Sequence, residues 1–447
     1  MISILINLIA VIWGLSVFRK KQKRYLSVVI SYFLLTDWFG LFTLITGGVS
    51  LIKNTDFFIL YMFLLFGLSV QKGDLSFKND KYSRVLLWFA LFHLGIFLMT
   101  VLLGFESFKF AVQDSRALFI YLIYFPLRRM DNDDIIKAFK SIFVIEIFIG
   151  INYLLQFFGI FILRDYDTVR LDGGMVRYTN VAPWFLFYLI MLIITKQQIK
   201  YKYLILFFLS LMLILPMSRM RIVFFCLVIL YYFLFIKKDY KNIVKIIVSF
   251  FLIALLFSDF LLARVVSNDN NDVSMMDDIE SAVEGRYREY DPESAGTLGF
   301  RLAILFERVK FMYDNSNYAL LGVGFRHEES PNCYDNFYFN LGTYSESLPH
   351  SKEEIHSVDI NWVRILMQMG YVGVIIYICF MYYLIKNLYK NKNDTICSAG
   401  LLYVILFSFG SITEAIWTEN QTFKLLISLL MVYCYNLNMS KNYNKKL

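Results

Sequence analysis

Histidine, cysteine and charge are scarce in this sequence, and each shortage removes a class of function. The four histidines are His93, inside an apolar run where it reads as a packed, hydrogen-bonded side chain, and His327, His350 and His356. No His-Glu-x-x-His or Cys-x-x-Cys spacing joins them, so no metal site is expected. No G-x-S-x-G elbow or Walker A loop is present, which removes support for hydrolase and NTPase chemistry, and no cofactor is expected. Of the five cysteines, Cys226, Cys379, Cys397 and Cys434 lie within apolar runs and Cys333 stands alone in a polar stretch, so no disulfide framework is implied. The ten-residue alternation of a transmembrane barrel is also missing.

What is present is apolar. The chain is 58% hydrophobic and 18% aromatic with only 18% charged residues, and its mean hydropathy is +0.55. Soluble domains hold about 45–50% apolar residues. The charges collect between apolar runs of about 15–25 residues, the length that crosses a hydrocarbon core of roughly 30 Å as a helix. The expected fold is therefore all-α, a polytopic membrane protein of about 12–14 transmembrane helices. The candidate spans are about 2–18, 25–47, 57–70, 85–104, 115–127, 138–162, 181–195, 203–217, 220–236, 246–263, 357–385, 396–411 and 421–437. A bundle over 1–263, one large loop over 264–356 and C-terminal helices over 357–447 follow.

Sidedness comes from the basic clusters. RKKQKR follows the first apolar run instead of preceding it, so this run reads as a retained helix and not as a cleaved signal. With that cluster inside, the loops around Lys72 to Arg84, Arg128 to Lys137, Lys196 to Lys202, Lys237 to Lys245, Lys386 to Lys392 and the tail also fall inside, as the positive-inside rule requires. Segments 105–114, 163–180, 218–221 and 264–356 then fall outside. The net charge of +8 is dispersed in these short clusters and does not form a nucleic-acid surface.

Two outer segments break the exclusion of positive charge. One carries Arg164, Arg170 and Arg177 among Asp165, Asp167 and Asp172, where either pairing or substrate binding accounts for them. The other is the break LPMSRMRIVFF, where Pro216 interrupts the helix ladder. There Arg219 and Arg221 stand at membrane depth, and such guanidinium groups face a polar cavity, a partner or headgroup phosphates. Within the large loop, residues 268–293 are acidic and poor in apolar residues. The following GFRLAILFERVKFMY places Leu302, Leu305, Phe306, Val309 and Met312 on one helical face with Arg301, Arg308 and Lys310 off it. In LLGVGF, Gly322 and Gly324 read as a turn where backbone closely approaches something. Arg326 and His350 are further candidates for substrate binding, and Tyr334, Phe337, Tyr338 and Tyr344 for stacking on sugar rings.

Four of these motifs occur in one order: the Ser-Arg break of SRMRIVFFCLVILYYF, the Arg-led amphipathic segment, LLGVGF, and His-Ser-x-Asp-x-Asn-Trp opening a helix that reaches Gly370. In that order they resemble the O-antigen polymerase and O-antigen ligase superfamily over residues 200–385. The resemblance implies a bacterial inner-membrane glycosyltransferase of the GT-C type that uses undecaprenyl-diphosphate-linked glycans as donor and acceptor at the outer face, with a chain-length regulator as an expected partner. Carried over, His356 is the general base, and Arg219 and Arg301, with Arg221 beside them, bind the diphosphate. His356 stands further from Gly370 than the family histidine does, and Asp359 occupies the expected place, so the base is either of the two. General chemistry fits these roles. The attacking sugar hydroxyl needs a base within hydrogen-bond reach. The leaving diphosphate needs preorganised positive charge, which the arginine fork supplies bidentately. The implied activity is a polymerase of repeat units; a ligase shares the motifs, and a flippase is the rival from another class.

Overall fold

The computed structural model describes residues 2–36, 54–71, 80–158, 160, 168–170, 176–178, 181–216, 218–239, 298–335, 337, 353–355, 360–412 and 414–444. The expected span 246–263, the acidic stretch 268–293 and residues 338–352 lie outside them. The described chain is a helical bundle. Its helices are α1 (Ile2–Arg19), α2 (Arg24–Leu35), α3 (Asn54–Gln71), α4 (Lys81–Leu102), α5 (Phe108–Ser115), α6 (Asn132–Gln156), α7 (Phe185–Ile194), α8 (Lys202–Ile214), α9 (Arg219–Tyr231), α10 (Leu298–Asp314), α11 (Asn361–Lys390), α12 (Thr395–Gly410) and α13 (Gln421–Asn444).

Aspartates start several helices. Asp80 accepts the backbone N–H groups of Tyr82 and Ser83 at α4, Asp131 that of Asp134 at α6, and Asp394 that of Cys397 at α12. Each satisfies donors that an α-helix leaves orphaned at its first turn. The expected span 115–127 is not an α-helix: Arg116–Ile123 is a 3-10 helix that runs into one α turn at Tyr124–Leu127. The all-helical class is as expected, and two short antiparallel ladders, 168–170 with 176–178 and 334–335 with 353–354, accompany the helices among the described residues.

Among the described residues, five helical segments are long and apolar enough to cross a membrane: Lys81–Leu102, Asn132–Gln156, Met220–Lys237, Asn361–Lys390 and Gln421–Lys441. Shorter apolar helices of 10–17 residues accompany them. The interior is filled by large side chains such as Trp184, Trp417, Tyr61 and Tyr121. Apolar side chains also cover the outside, with Trp88 at 73% and Leu102 at 79% exposure and Phe63, Phe148, Phe207 and Ile375 likewise exposed. Exposed apolar surface on several helices suits hydrocarbon as the solvent.

Polar contacts gather at two ends of the bundle. At one end, Arg128 bonds Ser83 and Tyr435, Arg24 bonds the Arg129 carbonyl, Asn436 bonds the Met130 carbonyl, and Lys441 bonds Asn391. These are the loops that carry the basic clusters. The other end joins α3, α5, α9, α11 and the connector 411–420 through the ion pairs Arg116–Asp56, Arg221–Glu414 and Arg364–Asp114. α11 reaches both groups of contacts, with Arg364 near its start and Asn391 just past its end.

Candidate functional site

The second end is built around a break in α11. Gly370 adopts φ 62°, ψ −166° inside the helix, a left-handed φ that favours glycine. The break frees backbone groups, and the segment LLGVGF takes them up: Val323 N–H donates to the Met367 carbonyl at 2.7 Å and Val372 N–H to the Leu320 carbonyl at 3.2 Å. A Cβ on Gly322 would lie 2.5 Å from the Gln368 carbonyl carbon, and one on Gly370 2.4 Å from that of Leu320. Gly324 packs on Thr100 of α4, whose hydroxyl oxygen accepts the Phe325 N–H at 3.0 Å. The close backbone approach read from the two glycines is therefore an approach to α11 and α4.

Before the break, Asn361, Arg364 and Gln368 form a polar stripe one helical turn apart. Arg364 Nη2 donates to Asp114 Oδ1 at 2.5 Å and Gln368 Nε2 to Asp114 Oδ2 at 2.6 Å. Arg364 also pairs with Glu419. Asn361 Oδ1 accepts the Thr418 backbone N–H at 3.2 Å and its hydroxyl at 3.0 Å, which ties the connector 411–420 to the start of α11. Burial pushes the Asp114 carboxyl up to about 6, while Arg364 pulls it back and falls short of cancelling the loss of water. Lys424, fully buried at the start of α13, donates to the Thr418 carbonyl at 2.5 Å.

Among the residues singled out from sequence, Arg221 Nε and Nη2 donate to Glu414 Oε1 at 3.0 and 2.6 Å. Arg219 is the first residue of α9, with Ser218 in extended conformation before it, so the Ser-Arg break starts a helix as expected. Arg301 lies in the first turn of α10 with its Nε buried and unbonded. Three residues on, Ile304 packs into a core with Met312, Val323, Ile355, Ile360, Val363 and Met367, so α10 rests on the first half of α11. Two side chains of α10 depart from the expected face. Arg308 is fully buried, donating to the Ile355 carbonyl and covering the Phe337 ring at 4.0 Å, while Phe306 is exposed. A guanidinium with an aromatic face and a carbonyl to bind is stable inside, which a hydrophobic periodicity does not register.

Arg326 serves its own loop, donating to the carbonyls of Val323 and Asn332 at 3.2 and 2.8 Å, and burial lowers its pKa. Arg170 and Arg177 lie in the first ladder, opposite Val176 and Val169. Arg164, His350, His356 and Asp359 lie outside the described residues. The flanks of the last two are described: Ile355 and Ile360 are both buried in the core shared by α10 and α11. His93 is buried, bonded to the Phe89 carbonyl at 2.6 Å and to Tyr377 at 3.3 Å, as expected for a packed histidine.

The sequence reading missed Arg364, Gln368, Asp114, Glu414, Glu419 and Lys424, and also Glu146. Glu146 lies fully buried in α6, where Oε1 accepts from the Tyr32 hydroxyl and, at 2.9 Å, from the Trp184 backbone N–H that opens α7. A charged residue within an apolar run is a signal by itself, and both Arg364 and Glu146 carried it. No family model matches the chain, and no curated protein matches it in sequence.

Proposed function

We propose that this protein is a membrane glycosyltransferase that joins undecaprenyl-diphosphate-linked oligosaccharide repeats into a surface polysaccharide at the outer face of a bacterial inner membrane. The observation that carries this reading is the pair of arginines, Arg221 and Arg364, gathered at one connector of an apolar helical bundle. Arg221 and Arg364 meet the connector 411–420 at Glu414 and Glu419, and α10, which carries Arg301 in its first turn, packs on α11. A diphosphate leaving group at the edge of a bilayer needs fixed positive charge in a place of low dielectric. His356 or Asp359 as base follows in the chain directly from Ile355, whose carbonyl Arg308 holds. The Ser-Arg break and the helix after the acidic stretch are the two arginine sources to which the resemblance assigns the diphosphate.

A transport reading has one feature in its favour, the interruption of α11 at Gly370, since broken helices are common in transporters. Here the Met367 carbonyl and the Val372 N–H are taken up by Val323 and Leu320.

The test is the glycan ladder of a deletion strain complemented with variants. Deletion leaves single capped repeats without polymer. Arg219→Ala and Arg301→Ala each fail to restore polymer at normal protein level, a loss on the order of a hundredfold or more for one preorganised donor. Arg219→Lys is also poor, because a point charge lacks the fork. Full-length polymer accumulating on the lipid carrier in the deletion strain would point to a ligase, and normal polymer in both alanine variants would make those arginines structural.

A further inference from the structure

The elbow between α1 and α2 holds five cations within six residues: Arg19, Lys20, Lys21, Lys23 and Arg24. Sidedness alone accounts for a basic loop, but this one differs from others in its surroundings. Arg128 donates to Ser83, Lys202 to the Thr195 carbonyl, Lys392 to the Tyr389 hydroxyl and Lys441 to Asn391, so the protein itself holds those charges. Residues 19–23 are exposed, and the side chains of Arg19, Lys20, Lys21 and Lys23 have no hydrogen-bond or ion-pair partner among the described residues. Four unpaired charges on one turn repel one another, and an anion seated among them relieves that repulsion.

The elbow is fastened from behind. Lys21–Lys23 is a single 3-10 turn between the two helices. Arg24 donates from Nε to the Phe18 carbonyl at 3.3 Å and from Nη1 to the Arg129 carbonyl at 2.6 Å. The guanidinium groups of Arg24 and Arg129 lie 5.8 and 6.0 Å from the centre of the buried Phe18 ring. These contacts tie the elbow to the segment before α6 and bring a sixth cation beside the other five. Against them the start of α6 sets Asp131, Asp133 and Asp134, and Asp131 is committed to capping that helix. Positive charge is therefore in excess. Below the elbow, α1 presents an apolar outer face: Leu5, Ile9, Ile12 and Trp13 are each more than half exposed, and their spacing puts them on one side of the helix, the side on which Arg19 also falls. The 18 residues of α1 span about 27 Å, close to the thickness of a hydrocarbon core.

We propose that this elbow is a binding site for an anionic phospholipid, its phosphate headgroup seated on Arg19, Lys20, Lys21 and Lys23 and its acyl chains lying along Leu5, Ile9 and Ile12. The site stands apart from the glycosyltransferase reading, since none of these residues has a role in it. A cluster of this size directly beside a membrane-spanning helix gathers anionic lipid from the bilayer, each Lys or Arg raising the affinity about fivefold. The apolar face supplies what a soluble anion cannot use, a track for the chains under the headgroup. A lipid bound there stabilises the elbow by mass action, because it binds the folded arrangement of the four cations in preference to the unfolded chain.

Native mass spectrometry of the delipidated full-length protein in a neutral detergent, titrated with phosphatidylglycerol or with phosphatidylcholine, tests this. The wild type is expected to bind its first phosphatidylglycerol at least about tenfold more tightly than its first phosphatidylcholine. The triple variant K20Q/K21Q/K23Q is expected to lose most of that preference, whereas K196Q/K200Q, which removes two exposed lysines from another basic loop, keeps it. Because the three elbow lysines are exposed and unbonded, the triple variant is expected to melt with the wild type in phosphatidylcholine and to gain less than the wild type when phosphatidylglycerol is added. Equal affinity of the wild type for the two lipids overturns the proposal, as does a triple variant that keeps the preference. An equal loss in K196Q/K200Q would also overturn it, by making the effect one of overall charge. Displacement of phosphatidylglycerol by glycerol phosphate at matching concentration would do the same, since the elbow would then be a site for soluble anions.

Discussion

At the scale of residues, the bundle is marked by polar groups placed where water is absent. Glu146 accepts two hydrogen bonds, one from Tyr32 and one from the backbone N–H of Trp184 at the entrance to α7. Replacement by leucine leaves both donors buried without an acceptor, at about 1–3 kcal/mol for each, whereas Glu146→Gln retains an acceptor oxygen. A thermal melt in detergent is expected to fall well below wild type for Glu146→Leu and to stay near it for Glu146→Gln. Asp114 gives a pH signature. Its folded pKa is raised to about 6 by burial, above the ordinary value near 3.9. The folded state therefore binds the extra proton, and this contribution to stability is fully present below about pH 4 and is lost as pH rises through about 6. The difference in melting temperature between wild type and Asp114→Asn should shift in favour of wild type on going from pH 7 to pH 5; a difference independent of pH would contradict the assignment. Arg221 was legible in the sequence because it stands beside a proline break in an apolar stretch. Arg364 was equally visible as a charge in the run 357–385, but its partner Asp114 lies 250 positions away, and no local pattern encodes that pairing.

At the scale of elements, the expected start at 396 lies one residue from that of α12, but the expected starts at 85 and 138 fall inside α4 and α6, whose capping aspartates Asp80 and Asp131 extend them by a turn or more beyond the apolar run. The 3-10 helix Arg116–Ile123 was not legible, since seven apolar residues in a row give no period that separates 3-10 from α. The break in α11 was half legible: the glycines of LLGVGF announced a close approach, but what they approach depends on tertiary packing against Gln368 and Thr100. This joint is rigid by construction. Gly370→Ala forces a side chain into a left-handed φ and into the Leu320 carbonyl, with about 1–3 kcal/mol from the backbone conformation alone. Because α11 also carries Arg364 ahead of the break, Gly370→Ala is expected to lower both the melting temperature and glycan polymer in vivo. Gly67→Ala, which meets no atom within 4 Å, should leave polymer unchanged.

At the scale of the whole molecule, the positive-inside rule expects the short loops rich in Lys and Arg on one side of the membrane. Arg128 and Asn391, of two such loops, bond Tyr435 and Lys441 of α13, while Arg221 pairs with Glu414 of the connector 411–420. Cysteines introduced at Ser107 and at Lys392 are expected to react with an impermeant maleimide from opposite sides of the membrane, Ser107 from outside; labelling from the same side would overturn the alternation. The central claim is chemical, that this bundle elongates lipid-linked glycans. Its most direct test is incubation of the purified protein in nanodiscs with undecaprenyl-diphosphate-linked repeat units, in the absence of any gradient or membrane potential, followed by gel analysis of the products. A ladder of products at integral multiples of the repeat, abolished by Arg301→Ala, is the predicted result. Unchanged single repeats with the intact protein would contradict it.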